Sequence, residues 1–472
     1  MTDTAASLDG LAELRSLAKL ITESVDQVEA AMAAHGTTFP STRGPTTLAA
    51  QAPRRLPEVV AASSIGCAAA TQLVAALGGP MMWLAHSAMA VGVPAALATV
   101  TKGNVAEAVR ENADGQGADV KVIAKECGID ADKLARVLRV LCAHYIFVEV
   151  SPDVFAHNVA SALLDTGKRV ADIRANPMAK HDGTHGLSAA LEHLVSEPMT
   201  AHSFLADVLL SPSPSNKDET AFNRAFGTTL SVWDWYDLPE NKLQLVRCTK
   251  AMEAGKTIIP PDAVLQGYDW AGLENGSVVV DVGGGVGTQG KKIVRAHPHL
   301  KIVVQDRAPV VEAAVEFWSD MPDAVSSGRV VLQANDFFAR QPQKDARVFL
   351  LSAILHDWAD EPAQGILKRL REAAAPHTEL VIVDSLIRYL SPDDEAPDVP
   401  GAARTLPPSP LLPALSATQY LTDLRMLATL NGKERTVTQL RALLESAGWR
   451  LTRVYHGPTH VPGVQKAIAV PA

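Results

Sequence analysis

The sequence has no excess of basic charge. Its 472 residues carry 43 Lys and Arg against 52 Asp and Glu, for a formal net charge of -9. A chain that grips nucleic-acid phosphates ordinarily presents a basic face, so the balance speaks against that partner. Cysteine is scarce as well. Cys67, Cys127, Cys142 and Cys248 are scattered without a CxxC pair. That is neither a disulfide framework nor a zinc signature, it suits a reducing compartment, and a cytoplasmic protein is expected. The first residues lack the basic start and apolar run of a signal peptide, because Asp3, Asp9, Glu13 and Arg15 interrupt them. No internal repeat is found. One absence is local: residues 59–101 contain no Asp, Glu, Lys or Arg. The stretch is long enough for a membrane hairpin. It is nevertheless rich in Ala, Gly, Ser and Thr and is interrupted by Pro80 and Pro94. Small residues let helices approach closely, so helices buried in a core or a dimer interface are expected, and no membrane partner.

What is present is ordinary in bulk and ordered along the chain. Hydrophobic residues make up 47% and charged residues 20%, the composition of a globular protein with length for two or three domains. Leu14, Ala18, Ile21, Val25, Val28 and Met32 are spaced four and three apart, which predicts one apolar seam on a first helix. A helix over residues 120–126, a turn at Gly128 and a second helix capped by Asp130 carry Leu134, Val137, Leu138 and Leu141 on one face. A hairpin around Ser151-Pro152-Asp153 completes a winged-helix order. Lys133, Arg136 and Arg139 on the second helix keep a DNA-binding reading open, although three bases also make an ordinary solvated face. Residues 211–215 read as a linker.

From about Ser277 the texture changes. Apolar runs at 278–282, 302–305, 330–333, 348–351 and 380–383 alternate with helical stretches, which predicts a mostly parallel sheet covered on both faces. The fold class expected is therefore α/β, a Rossmann-like domain over residues 186–472 behind a helical and winged-helix domain over residues 1–185. A Pro-rich stretch at 391–413 reads as a surface insertion.

The first of these strands runs into Asp281-Val282-Gly283-Gly284-Gly285-Val286-Gly287. Glycines let the backbone turn sharply beside a ligand, and in an open parallel sheet ligands sit beyond the carboxyl ends of the strands. Asp306 ends the next strand, where a carboxylate can accept both hydroxyls of a ribose. The glycines alone fit a nicotinamide dinucleotide or S-adenosylmethionine. Asp281 favours the second, since it would repel a pyrophosphate and welcome an amino group. Asp336 could accept from an adenine amino group and Phe337 could cover the ring. His356 follows the fourth strand on the ligand side, with carboxylates available from two other segments. Such carboxylates raise a histidine pKa and fix its tautomer. A neutral imidazole held there can take the proton of a phenol whose pKa is about 10. No closely spaced ligand pair accompanies His356, so no metal is expected.

Together Val280-Asp-Val-Gly-Gly-Gly-Val-Gly287, Asp306, Asn335-Asp336, His356-Asp-Trp-Ala-Asp-Glu361 and Gly432-Lys-Glu-Arg-Thr436 resemble the plant caffeic-acid-type O-methyltransferases and their fungal relatives. Phe222-Asn-Arg-Ala-Phe-Gly227 resembles a further segment of that family. The resemblance covers most of the chain from about Pro80. It implies transfer of a methyl group from S-adenosylmethionine to a small phenol, leaving S-adenosylhomocysteine. It also implies that His356 is the base flanked by Asp384 and Glu434, and that Gly283, Gly285, Gly287, Asp306, Asp336 and Phe337 hold the cofactor. Met252, Asp357 and Met426 would face the phenol, and the winged-helix domain would form a homodimer. Two departures stand out. Asp384 replaces a usual glutamate, and Ser352 stands where a Lys or Arg usually reaches the cofactor; either Arg307 or Lys291 substitutes, or, as expected here, the cofactor is bound more weakly or through water. The rival readings are a dinucleotide-dependent oxidoreductase and a winged-helix regulator that senses a ligand.

Overall fold

The computed structural model describes residues 10–42, 44, 47, 49–211, 218–258, 260, 262–391, 398–402, 415, 417–456 and 465–472. Most of the 211–215 linker and of the 391–413 insertion lies outside the described residues. Contacts divide the chain into two compact units, residues 1–258 with 412–415 and residues 259–411 with 416–472.

The first unit opens with helix α1 (Gly10–Ala34) and helix α2 (Pro57–Met89). They run antiparallel: Gln72 donates to Glu13, and Met32 packs with Val59. Where they cross, a Cβ on Gly66 would lie 2.9 Å from that of Ser24, so small residues set the spacing. The buried stripe of α1 is Leu17, Ser24, Ala31 and Met32. This corrects the expected seam, for Ala18 and Val25 are exposed and their neighbours Leu17 and Ser24 are buried instead. The partner is a single antiparallel helix met at its small residues, and that contact selects a different face. At Gly79 (φ 72°, ψ 163°) α2 breaks ahead of Pro80, and helix α3 (Gly92–Lys102) follows. Residues beyond the break are largely exposed, Met81 at 76% and Met82 at 69% among them. The uncharged stretch is therefore helical as expected; its middle, from Pro80 to Gly92, is largely exposed, whereas α3 beyond it buries Ala96, Ala98, Val100 and Thr101.

The winged helix is present. Helix α4 (Val120–Cys127) ends at Gly128 (φ 71°), and Asp130 caps helix α5 (Ala131–Ala143) by accepting from Lys133 N at 3.1 Å. Strands β1 (Ala118–Asp119), β2 (Val148–Ser151) and β3 (Val154–Ala156) form a small sheet in the order β1-β3-β2. Arg139 pairs with Glu149 at 2.9 Å and Asp153 at 2.7 Å, so one of the three bases on α5 is neutralised by the wing itself.

The sequence-based boundary at 185/186 is displaced to 258/259. Helix α6 (Leu187–Leu194) packs on α3 and on helix α7 (Lys242–Ile258). A buried ion network ties them: Glu192 on α6 meets Lys180 at 2.8 Å and Arg247 of α7 at 3.5 Å. The Lys180–Glu192 pair crosses the expected boundary and leaves no signature in local composition.

The second unit is a seven-stranded sheet. Its strands are β4 (Val278–Val282), β5 (Lys301–Asp306), β6 (Val330–Ala334), β7 (Val348–Ser352), β8 (Glu379–Val383), β11 (Trp449–Tyr455) and β12 (Lys466–Pro471), in the order β11-β12-β8-β7-β4-β5-β6. The five strands from β8 to β6 are parallel; β12 joins β8 antiparallel and β11 joins β12. Alternate side chains feed two cores. Val280, Phe349, Leu351 and Ile382 meet helix α10 (Asp360–Ala373) and helix α12 (Val437–Ser446) on one face. Val279, Leu350 and Val381 meet helix α8 (Thr288–Ala296) and Trp318, just past helix α9 (Ala308–Phe317), on the other. Burial on both faces is why the strands read as continuous apolar runs. A short parallel pair, β9 (Leu386–Ile387) with β10 (Arg435–Thr436), and helix α11 (Ala417–Leu430) complete the unit. The chain extends the sheet from β4 to β6 in one direction, then returns to β7 on the other side of β4. That reversal opens a crevice at the carboxyl ends of β4 and β7.

Candidate functional site

The glycine loop leaves β4 at this reversal. Gly283, Gly285 and Gly287 all have positive φ. A Cβ on Gly283 would stand 2.5 Å from Ile354 Cδ1 and 3.5 Å from Phe337, so the loop, the turn after β7 and the segment after β6 converge there. Asp306 ends β5 beside them. Its Oδ2 accepts from Gly285 N and its Oδ1 from Arg307 N, each at 2.8 Å. A carboxylate offers about four lone-pair sites, which leaves each oxygen able to accept once more, as a vicinal diol requires. Asp281 is placed differently from its expected role. It is fully buried beneath the loop, and its Oδ2 accepts from Gly290 N at 3.1 Å. It shapes the loop from below and does not face outward.

After β6, Asp336 is exposed and caps Phe338 N at 2.9 Å. Phe337 stands edge-on to Trp358, with ring centres 5.9 Å apart, and Phe338 meets the same indole at 4.8 Å. Trp358 belongs to the quoted His-Asp-Trp motif, but nothing in the sequence linked it to the segment after β6.

The turn after β7 carries His356. Ala353 adopts φ 55°, and its N–H donates to Val383 O at 3.0 Å, which swings the chain away from the sheet. A short 3-10 turn, Leu355–Asp357, follows. His356 Nδ1 lies 2.8 Å from Glu434 Oε1, and Nε2 lies 3.4 Å from Asp357 Oδ1. Glu434 is 1% exposed and His356 19%. Asp384, buried at the end of β8, adds a third negative group whose charge acts on the ring. Burial by itself would lower the histidine pKa; Asp357, the Glu434 hydrogen bond and Asp384 overcome it and hold the imidazole up to about 10. Burial pushes Asp384 up to about 6 against the attraction of His356, and Asp357 is raised for the same first reason. Asp384 Oδ1 and Glu434 Oε2 are buried without a hydrogen-bond partner among the described residues.

The structure therefore brings His356, Asp357, Asp384 and Glu434 together next to the glycine loop. Met426 on α11 is buried nearby in sequence order, and its carbonyl accepts from Gly432 N at 3.1 Å. Met252 lies on α7 in the first unit and is 45% exposed. Ser352 is the last residue of β7. Lys291, one of its expected substitutes, is committed elsewhere, to Phe317 O and to Asp320. Among the described residues no group of three or more His, Cys, Asp or Glu side chains has the arrangement of a metal site. Asp423 is a residue that sequence reasoning missed: it caps Glu434 N at 2.8 Å, and no pattern joins it to Glu434 along the chain.

Residues 204–399 match the family described as an O-methyltransferase domain. An O-methyltransferase of Armillaria gallica is 38% identical over 94% of this chain and 95% of its own length. A 4-O-methyltransferase of Phanerochaete chrysosporium is 38% identical over 97% of this chain and 99% of its own length. Among solved structures, an O-methyltransferase from neocarzinostatin biosynthesis, in complex with S-adenosylhomocysteine and 1,4-dihydroxy-2-naphthoic acid, superposes with a TM-score of 0.57. It is 23% identical and covers 81% of this chain and 96% of its own.

Proposed function

The chain belongs to the O-methyltransferase family, and from that premise we propose that it methylates a phenolic hydroxyl of a small aromatic molecule with His356 as the general base. The observation that carries this reading is the placement of His356. It sits one short turn beyond β7, held by Glu434 at 2.8 Å, two residues from the Ile354 side chain that packs against the glycine loop.

The cofactor of this reading is S-adenosylmethionine, which supplies an electrophilic methyl group on a sulfonium. Asp306 would offer its remaining acceptor positions to the ribose hydroxyls, Gly283, Gly285 and Gly287 would let the backbone come close, and Phe337 and Asp336 would hold the adenine. Glu434 fixes the tautomer by accepting from Nδ1–H, which presents Nε2 as the proton acceptor. The phenol proton would pass to Nε2; the methyl carbon would exchange its bond to sulfur for one to the phenol oxygen, and the C–S electron pair would stay on sulfur as neutral S-adenosylhomocysteine leaves. Asp357, on the same side of the ring, and Met426 contribute to positioning the phenol. Much of the rate then comes from alignment and a single proton transfer. The relatives' names refer to oxygen methylation, which sets the oxidoreductase and regulator readings aside.

We also propose that the protein is a homodimer assembled through the first unit. Support comes from the uncharged, exposed half of α2.

The test is a methyl-transfer screen over guaiacol-like phenols, hydroxybenzoates, flavonoids and polyketide phenols, run on the wild type and on His356→Ala. The variant should bind S-adenosylhomocysteine as the wild type does and turn over roughly a hundredfold to ten-thousandfold more slowly. A variant that keeps most of its activity removes His356 from the base role.

A further inference from the structure

His356 does not fix its own position. It sits in a turn that begins at a left-handed alanine, and one hydrogen bond to Glu434 orients the ring without anchoring the backbone beneath it. The anchoring comes from the Gly432-Lys-Glu-Arg-Thr436 segment, whose end forms β10. A Cβ on Gly432 would lie 2.3 Å from His356 O, so only glycine lets the two backbones come this close. Lys433 N then donates to His356 O at 2.8 Å. The side chain of Arg435 is 3% exposed, and each of its three nitrogens donates a hydrogen bond. Nη1 donates to Leu355 O at 2.8 Å and to Lys433 O at 3.3 Å, and Nη2 to Trp358 O at 2.8 Å. Nε donates to Asp360 Oδ1 at 3.0 Å, and Nη2 lies 2.9 Å from the same oxygen. The two carbonyls of Leu355 and Trp358 bracket His356 and Asp357. Asp360 begins α10, and Lys433 Nζ lies 3.1 Å from its second oxygen. One planar fork thus spans the residue before His356, the residue after Asp357 and the first turn of α10.

Resting on the reading of His356 as the base, we propose that Arg435, oriented by Asp360, is a positioning residue that fixes the His356 turn against Glu434. A guanidinium is suited to this because its five donors lie in a fixed plane and match several acceptors at once. A lysine ammonium is a point charge with three donors and cannot reach both carbonyls and the carboxylate together. The catalytic constellation depends on such supporting contacts, since a displacement of about 1 Å can cost about a hundredfold in rate.

The experiment compares wild type, Arg435→Lys, Asp360→Asn and His356→Ala. Folding is followed by circular dichroism, S-adenosylhomocysteine affinity by calorimetry, and the His356 ring by NMR titration alongside kcat and KM. For Arg435→Lys the expected result is a folded protein with unchanged S-adenosylhomocysteine affinity. Its kcat falls about a hundredfold, KM for the phenol changes little, and the His356 titration midpoint moves. A folded Arg435→Lys with wild-type kcat and wild-type His356 titration overturns the proposal. So does a fall in kcat matched by an equal loss of cofactor affinity, which is the mark of general structural damage. Should Arg435→Lys not fold, Asp360→Asn decides. Its side chain is 58% exposed, so the substitution is tolerable, and wild-type kcat and titration there overturn the proposal equally. His356→Ala separates the two layers: if that variant is active, the base reading has failed, whatever Arg435 does.

Discussion

At the scale of the residue, the proposal that His356 is the base ties the working pH of the site to the charge on that ring. A histidine ordinarily titrates near 6.5, and here Asp357, Glu434 and Asp384 outweigh burial to hold it up to about 10. The sign follows. The raised pKa favours the imidazolium, so the ion-pair contribution to stability is fully present below 6.5 and is lost as pH rises through about 10. Activity runs the other way, because a base must be unprotonated to act. Turnover of an ordinary phenol should therefore climb with pH well above the normal histidine range. Asp384→Asn removes one of the three negative groups and should shift that limb to lower pH. An electron-poor phenol, ionised throughout the range, has no proton to lose. For it the limb should flatten, and His356→Ala should recover towards the wild-type rate. A limb that stays near 6.5, or a variant equally impaired on the ionised phenol, would sink this account. His356 and its motif partners were legible in the sequence because they sit in short, distinctive runs. Asp423 and the bracketing role of Arg435 were not, because they act through backbone groups, which any residue carries.

At the scale of the element, the parallel strands were read to within a residue or two. Strands buried on both faces must be continuous apolar runs, and nothing else in the chain has that texture. The β11–β12 hairpin was missed. Arg450, Thr452 and Arg453 break its hydrophobic run, and residues 456–465 separate the strands, more than a short hairpin loop holds. The seam of α1 was misplaced because periodicity gives a stripe, while the partner helix decides which flank is covered. The turn after β7 left no trace in the sequence, since Ala353 adopts a conformation that ordinarily calls for glycine. A left-handed alanine costs about 1–2 kcal/mol, and replacing it with glycine loosens the unfolded chain by roughly 0.4–1 kcal/mol. Ala353 is exposed, so its methyl group gives up little packing. Ala353→Gly should accordingly stabilise the protein by up to about 1 kcal/mol in denaturant unfolding. A clear loss of stability would show that the methyl group, and not the backbone, matters at this turn.

At the scale of the whole molecule, the exposed half of α2 is the surface that demands an explanation. Leu77, Met81, Met82, Leu84 and Met89 are each more than 60% exposed, within a stretch of 43 residues lacking any Asp, Glu, Lys or Arg. Burying one such side chain is worth about 1.5–3 kcal/mol, and soluble monomers rarely leave a large apolar patch open. By length and hydropathy alone the span Pro57–Lys102 could also cross a membrane. Two features favour a second copy of the chain as the cover. The helix breaks at Gly79 with Pro80 behind it, and a lipid-embedded break must find partners for its freed backbone groups. Its first half is already committed to packing against α1 through Gly66 and Ser24. Sedimentation at micromolar concentration should therefore show a dimer without detergent. Met82→Lys combined with Leu84→Lys should convert it to a soluble monomer that keeps its circular dichroism spectrum. The charged pair desolvates poorly at an interface, whereas on an exposed helix it is harmless. A wild type that sediments as a monomer would dismiss the dimer. A wild type that floats with neutral phosphatidylcholine vesicles, and loses that association in the double variant, would assign the same surface to a membrane instead.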